Sequence, residues 1–232
     1  MTNTARTLVF ATANRNKLVE AAEVLGDSFT ICLPADLGYT NDVPETHFTI
    51  RENAIEKAQF IWDMFGKDCF ADDTGLEVDT LDGAPGVFSA RYAGEPKNPV
   101  MNVRKLLHEM EGVPYAERTA RFRCVIALIE GGPDCAGGGV AGGADAAGSF
   151  VAGGKLTVFE GICEGHISLE PHGELGFGYD PVFIPDGMEK TMAMLTLEEK
   201  NATSHRGRAL EQLVRYLKEG AASGGSADLP QE

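Results

Sequence analysis

The chain has 232 residues, 43% of them hydrophobic, which is enough for one substantial core or for one domain divided into two lobes around a cleft. A formal charge of −15 and a pI near 4.7 argue against a general binder of nucleic acid or of an anionic membrane, because the electrostatics would oppose it. Any phosphate ligand therefore needs a local cluster of bases. The five cysteines, Cys32, Cys69, Cys124, Cys135 and Cys163, are odd in number, widely spaced and mostly inside apolar runs. They read as reduced core residues of a cytoplasmic protein rather than as a disulfide set or a zinc site. With no secretory h-region at the start and no apolar run near about 18 residues, the expectation is that nothing spans a membrane or is exported.

Residues 7–12 form a short β-prone run, followed by the polar turn Ala13-Asn14-Arg15-Asn16-Lys17 and then by Leu18, Ala21, Ala22 and Leu25 at helical spacing. Strand, turn and helix in that order resemble a phosphate-binding first loop, in which the helix N-terminus offers free amides to an anion. The glycines and the Gly-Lys-Ser/Thr ending of a Walker loop are absent. The helix dipole opposes a lysine at position 17, so a bound anion would account for it, as would ordinary solvation. Glu45, in the loop Pro44-Glu45-Thr46-His47, is a candidate metal ligand among many loop carboxylates. Thr49 and Glu52 have the capping-box form, with Glu52 able to reach back to the Thr49 amide. Behind them Ala54, Ile55, Ala58, Ile61, Trp62 and Phe65 form one apolar stripe that ends at Gly66, and Met64 is read with Trp62 as core.

Cys69, Phe70 and Ala71 read as the apolar end of a buried strand that gives way at Thr74-Gly75. Two adjacent carboxylates, Asp72 and Asp73, sit badly at such an end without a cation or a proton. Consecutive strand residues point to opposite faces, so only one of the two is expected to face the chemistry unless the strand has already become a turn. A solvated strand end with an Asx-turn fits the pair as well. A tightly punctuated loop then runs to Tyr92. Asn98 and Pro99 open a helix with Val103, Leu106, Leu107 and Met110 inward. Residues 119–128 and 156–167 read as a long antiparallel hairpin, bearing at its tip a Gly/Ala-rich insertion over 131–154 that is expected to be mobile. In the loop from Gly173 to Pro181, glycines flank Phe177, whose ring is either a stacking platform for a base or part of the core. A short strand follows at 181–185. A second capping box at Thr196 and Glu199 leads to Lys200, His205 and Arg206, read as basic residues near helix starts and hence as pointing to an anionic ligand. The last helix turns Leu210, Leu213, Val214 and Leu217 inward, and residues 221–232 are expected to be a disordered tail.

Together these segments resemble one family, the inosine triphosphate pyrophosphatases, which hydrolyse non-standard purine nucleoside triphosphates. The resemblance is carried by Thr12-Ala13-Asn14-Arg15-Asn16-Lys17, Glu52-Asn53-Ala54 with Lys57-Ala58, and Ala71-Asp72-Asp73-Thr74-Gly75-Leu76 with Gly83-Ala84-Pro85-Gly86 and Ser89-Ala90-Arg91-Tyr92. It continues through Gly176-Phe177-Gly178-Tyr179-Asp180-Pro181 and Lys200-Asn201 with Ser204-His205-Arg206-Gly207. Ala13 where glycine is frequent, Thr74 where serine is frequent and the 131–154 insertion depart from the pattern without removing a charged group.

The resemblance implies an elongated α/β fold with a mixed central sheet flanked by helices and two lobes around an active-site cleft. It implies a homodimer and a requirement for Mg²⁺; the chain is read as one such domain over residues 1–220, in a protein whose cysteines already suggested a cytoplasmic location. By position Asp73 matches the general base and metal-side carboxylate, and Glu45 the metal-binding acid, although Pro44 departs from the acidic pair of some members. Thr12, Ala13, Asn14, Arg15, Asn16, Lys17, Thr74, Phe177, Gly178, Tyr179, Asp180, Lys200, His205 and Arg206 match nucleotide-binding positions. The expected reaction is attack of water on the α-phosphorus of ITP, dITP or XTP, with Phe177 stacked on the purine and His205 and Arg206 donating to its 6-oxo group. Action on other modified nucleotides and a purine sensor without turnover are the alternatives. Neither nucleic acid nor membrane is expected as a partner.

Overall fold

The computed structural model describes residues 6–131, 149–151 and 153–223. The apolar run at the start becomes β1 (Arg6–Phe10), with Leu8, Val9 and Phe10 buried. The Asn14 side chain accepts from the amides of Asn16 and Lys17 and so starts α1 (Arg15–Leu25). β2 (Phe29–Cys32) and β3 (Cys69–Val78) then flank β1, both parallel to it. Beyond β3 the sheet turns antiparallel through β5 (Thr119–Glu130) and β7 (Gly154–Ile167), which pair along their lengths from Thr119 opposite His166 to Glu130 opposite Lys155. Short strands β4 (Pro85–Gly86), β6 (Ser149–Val151) and β8 (Phe183–Pro185) complete a mixed sheet of order β2-β1-β3-β5-β7-β6, with β4 on β3 and β8 on β7. A twelve-residue strand spans about 40 Å at the usual rise, so β5 contributes to core clusters at both its ends.

Amphipathic helices cover one end of these strands on both faces. On one face α2 (Ile50–Phe65) lays Ala54, Ala58 and Ile61 on Val9, Ala71, Val125 and Ile129. On the other, Ala21 and Leu25 of α1 with Leu210, Leu213 and Leu217 of α5 (His205–Ser223) cover Leu8, Phe10, Phe70, Ile126 and Leu128. At the far end α3 (Pro99–Glu109) packs Val103 and Leu106 into a separate cluster with Leu76, Val78, Phe122, Ile167, Tyr179 and Phe183. The short α4 (Leu197–Thr203), opened by a complete capping box at Thr196, leads into α5. Two lobes share one sheet, as the family resemblance implied, and the cleft lies where the cores part.

Several local expectations change. β3 does not end at Thr74-Gly75 but continues to Val78, because Gly75 lets β4 close in: a Cβ there would stand 2.6 Å from the Gly86 carbonyl oxygen. Met64 is 44% exposed, on the side of α2 turned away from the sheet, while Trp62 is partly buried. The Glu52 carboxylate accepts from the Thr49 hydroxyl at 2.7 Å rather than from its amide, while that hydroxyl accepts from the Glu52 amide. Within the Gly/Ala-rich insertion, Ser149–Val151 pairs with β7, and residues 132–148 and 152 lie outside the described residues. The helix α5 runs to Ser223, past the expected start of the tail, and residues 224–232 are not among those described. No helix among the described residues is long and apolar enough to cross a membrane.

Candidate active site

The cleft is built from a gap in the sheet. β1 covers the edge of β3 only as far as Phe70, where the Ala11 amide donates to the Phe70 carbonyl at 2.8 Å, and β4 pairs with that strand only at Leu76 and Glu77. Between them the edge of β3 is open. Asp72 and Asp73 do point to opposite faces, yet both border one cavity of about 780 Å³, because that cavity wraps around the open edge. The expectation that only one of the two faces the site is therefore corrected, and no turn is needed to bring both there. Every residue matched to a nucleotide or metal position borders the same cavity: Thr12, Ala13, Asn14, Arg15, Asn16, Lys17, Glu45, Asp73, Thr74, Phe177, Gly178, Tyr179, Asp180, Lys200, His205 and Arg206.

On the α1 and α5 face, Asp72 is the hub of a buried ion network. Its Oδ1 accepts from Lys17 Nζ at 2.9 Å and its Oδ2 from Arg206 Nε at 3.0 Å. Arg206 also donates through Nη1 to Glu20 and through Nη2 to the Thr74 hydroxyl at 3.2 Å. Glu20 in turn accepts from Lys200 Nζ at 2.7 Å, and Lys200 donates to Asp180 Oδ2 at 2.8 Å. Burial pushes the Asp72 carboxyl up, but Lys17 and Arg206 overcome it and hold the group well below the usual carboxylate range. Burial alone would lower Arg206, and Asp72 and Glu20 more than restore its charge. The basic cluster is thus already matched by the protein's own carboxylates. Lys200 lies in the last turn of α4, not near a helix start, while His205 and Arg206 do open α5.

Phe177 is held by the same network. Its amide donates to Asp180 Oδ2 at 2.7 Å, Lys200 Nζ lies 4.6 Å from its ring centroid, and Arg206 Cζ lies 5.5 Å from it. Gly176 has φ +77°, and a Cβ there would meet the Asp180 carboxylate. Phe177 is half-buried at the cavity wall and outside the three core clusters, which leaves the platform reading in place. Tyr179 by contrast is core: its hydroxyl donates to the Ser89 carbonyl at 3.0 Å and ties the glycine loop to the loop after β4.

On the α2 face, Lys57 Nζ donates to Asp73 Oδ1 at 3.1 Å and to Glu45 Oε1 at 2.6 Å. For Asp73, burial outweighs the attraction of Lys57 and Lys17 and leaves the carboxyl above its ordinary value. Glu45 also feels burial, but Lys57, with smaller help from Lys17 and Lys97, draws it below its usual range. Lys57 is shared by two carboxylates and stays charged despite its burial. His205 stacks on Phe122 with ring centroids 4.6 Å apart and planes 16° from parallel. Its Nδ1 is buried with no hydrogen-bond partner among the described residues, and burial together with Arg206 and Lys200 drives its pKa well below the usual histidine value, so the ring is neutral.

Set beside known proteins, residues 8–216 match the profile of the Ham1 family. This chain belongs to the Ham1 family. The dITP/XTP pyrophosphatase of Flavobacterium johnsoniae is 44% identical to it over 211 residues, covering 90% of this chain and 97% of that protein. The dITP/XTP pyrophosphatase of Bacillus subtilis is 41% identical over 211 residues, covering 90% and 96%. Among solved structures, a HAM1 protein from Coxiella burnetii superposes with a TM-score of 0.76 at 37% identity, over 92% of this chain and 99% of that one. The Staphylococcus aureus Ham1 protein gives 0.75 at 35% identity, over 93% and 100%.

Three charged groups of this Ham1-family site were not singled out as site residues from the sequence: Lys57, Glu20 and Asp72. For Lys57 a signal was present. It falls in the buried α2 stripe between Ala54 and Ala58, where a lysine needs an internal partner. Glu20 lies beside Ala21 on α1 and is 3% exposed, but nothing local distinguishes it from a solvated glutamate, because its partners lie some 180 residues along the chain.

Proposed function

We propose that this chain hydrolyses ITP, dITP and XTP to the nucleoside monophosphate and pyrophosphate, and so clears non-standard purines from the nucleotide pool. One observation carries the reading: two adjacent carboxylates on opposite faces of an open strand edge, one locked in ion pairs and the other raised in pKa, in a cavity that also holds an aromatic wall and a helix N-terminus. The family membership and the dITP/XTP pyrophosphatase relatives support it.

Asp73 is the group placed to take a proton from the attacking water: it borders the cavity with only Oδ1 engaged among the described residues, by a lysine it shares with Glu45, and in the metal-free protein burial leaves its carboxyl above its ordinary value. Asp72, held ionised by two cations, keeps Lys17 and Arg206 in fixed positions at the cavity wall. The amides at the start of α1 present the positive end of the helix dipole to the phosphates. Asp73 and Glu45 fit a Mg²⁺ site: both place an oxygen within hydrogen-bond reach of one atom, Lys57 Nζ, and Mg²⁺ is commonly held by one or two carboxylates together with substrate phosphates and water. When bound, that ion would neutralise charge growing on the departing pyrophosphate. Among the described residues no group of three or more such ligands comes together.

At the other end, Phe177 offers its ring to the purine. Neutral His205 has a single N–H to donate, and Arg206 keeps two of its five N–H groups beyond those given to Asp72, Glu20 and Thr74. These donors suit a 6-oxo acceptor, and the 6-amino group of adenine would leave them unpaired in a closed site. The reading carries with it a homodimer and a cytoplasmic location, which sedimentation and cell fractionation test. The deciding experiment is pyrophosphate release from ITP, XTP, dITP, ATP and GTP, with Mg²⁺ and then with EDTA. The expected result is metal-dependent release from the first three with the last two spared. Equal rates on all five would overturn the base-reading roles, and binding without any release would make the protein a sensor.

A further inference from the structure

The cations that face the cavity are mostly spoken for. Lys17, Lys57, Lys200 and Arg206 are all ion-paired, and the carboxylates that hold them, Asp72, Asp73, Glu45, Glu20 and Asp180, outnumber them five to four. With His205 neutral, that inner wall is not a positive surface for a triphosphate. Two cavity-lining cations are of another kind. Arg15 and Lys97 are exposed, and among the described residues neither makes an ion pair or a side-chain hydrogen bond. They come from different lobes: Arg15 is the first residue of α1, and Lys97 immediately precedes Asn98, the N-cap of α3. Pro99 and Asn102 of α3 border the cavity as well, and neither helix carries an acidic residue in its first turn to repel an anion. Lys97 lines the cavity and is close enough to Glu45 to act on its carboxylate, which puts it on the side that holds the acidic pair of the metal-site reading.

We propose that Lys97 is a substrate-positioning residue that reaches from the α3 lobe to the β- and γ-phosphates and, facing Arg15 from the other lobe, grips the part of the substrate that leaves as pyrophosphate. This rests on the pyrophosphatase reading above. The free ammonium supplies what the compensated inner wall lacks, an uncommitted positive charge, and it supplies it only to ligands long enough to reach the second lobe. A nucleoside monophosphate is too short to engage it.

The test uses the full chain with Lys97→Ala and Lys97→Arg. Inhibition of ITP hydrolysis is measured with pyrophosphate and separately with IMP, and Mg²⁺-pyrophosphate binding is followed by calorimetry without substrate. Removing one charge-assisted contact at a solvent-accessible site should weaken pyrophosphate about fivefold and raise KM for ITP similarly, with IMP inhibition and kcat changed less than about twofold. Lys97→Arg should recover most of the loss. Unchanged pyrophosphate affinity in Lys97→Ala, or equal weakening of pyrophosphate and IMP, would overturn the assignment. If the parent protein released no pyrophosphate from any triphosphate, the functional reading would fall on its own, while the calorimetry would still report on Lys97.

Discussion

Asp72 and Asp73 are neighbours in sequence, in one strand and at one cavity, yet the two faces of β3 give them opposite chemistry. Asp72 looks toward α1 and α5, where two cations meet its two oxygens, and it stays ionised far into acid. Asp73 looks toward α2, where one lysine is divided between it and Glu45, and burial wins. What separates them is the number of cations in contact on each face, two for Asp72 and one for Asp73, not their own side chains. A carboxylate that is fully paired makes a good anchor and a poor base, and one that is underpaired makes the reverse.

The largest effect expected from breaking this contrast is on turnover. Asp73→Asn keeps the shape but removes the base, and should cost about a thousandfold or more in kcat. The same change should leave metal-free stability equal to or above the parent near neutral pH. The sign follows from the direction of the shift: a carboxyl raised by burial opposes folding above its folded pKa, and that opposition fades as pH falls through it. Urea midpoints at pH 7 in EDTA check this, and a marked fall in the midpoint would mean that Asp73 is an anchor too.

Asp72→Asn should behave the other way. It leaves Lys17 and Arg206 buried without their shared partner, and breaking such a network typically costs about 3–5 kcal/mol. Because its folded pKa is depressed, the stability that Asp72 contributes is present above the unfolded value of about 3.9 and is lost as pH falls below it. Urea unfolding at pH 7 and pH 3 should therefore show a large gap between parent and variant at the first pH that narrows at the second. A constant gap would show that packing, and not charge, is what Asp72 supplies.

His205 acts in a third window. Its ring is neutral in the fold and ionises readily once unfolded, so its contribution is present above the unfolded value near 6.5 and is lost as pH falls. As pH falls below about 6.5 it should make stability decline with acid, and His205→Gln should remove that part of the decline. Its onset, near 6.5, lies above that of Asp72, near 3.9, so the two titrations begin at different points of one set of unfolding curves.

How far such contrasts can be read from sequence depends on how local their causes are. The cap at Asn14 was passed over as part of a polar turn, but the helix starts at Thr49, Asn98 and Thr196 were legible because a cap is decided within three residues. So was the β5 and β7 hairpin, whose apolar runs announce themselves. The positions matched to nucleotide and metal binding all border one cavity, although that cavity also takes in residues such as Tyr39 and Lys97 that no motif named. The fate of Asp72 against Asp73 was not legible, because it depends on a missing strand neighbour and on cations from residues 17, 57 and 206. Reading Gly75 as a strand end failed for a related reason, since its use is to admit the Gly86 carbonyl from another segment.

The smallest effect sharpens the comparison by leaving both carboxylates alone. Thr74 follows the pair and gives its hydroxyl oxygen to Arg206 at 3.2 Å, which helps to orient the guanidinium that holds Asp72. Thr74→Ser retains that acceptor and removes one methyl group, so stability and KM should both move little, by less than about 1 kcal/mol and about twofold. Thr74→Val keeps the shape but deletes both the acceptor for Arg206 and the 3.4 Å donation from the hydroxyl to Asp72 Oδ2, leaving an Arg206 N–H unpaired in a buried site at a cost of about 1–3 kcal/mol. If the anchor reading of Asp72 is right, the valine variant should lose stability in the pH window of Asp72 while its acid limb of turnover, set by Asp73, stays where it is. A shift of that limb would mean that the two faces of β3 are coupled through Thr74, and that anchor and base are a single titrating unit.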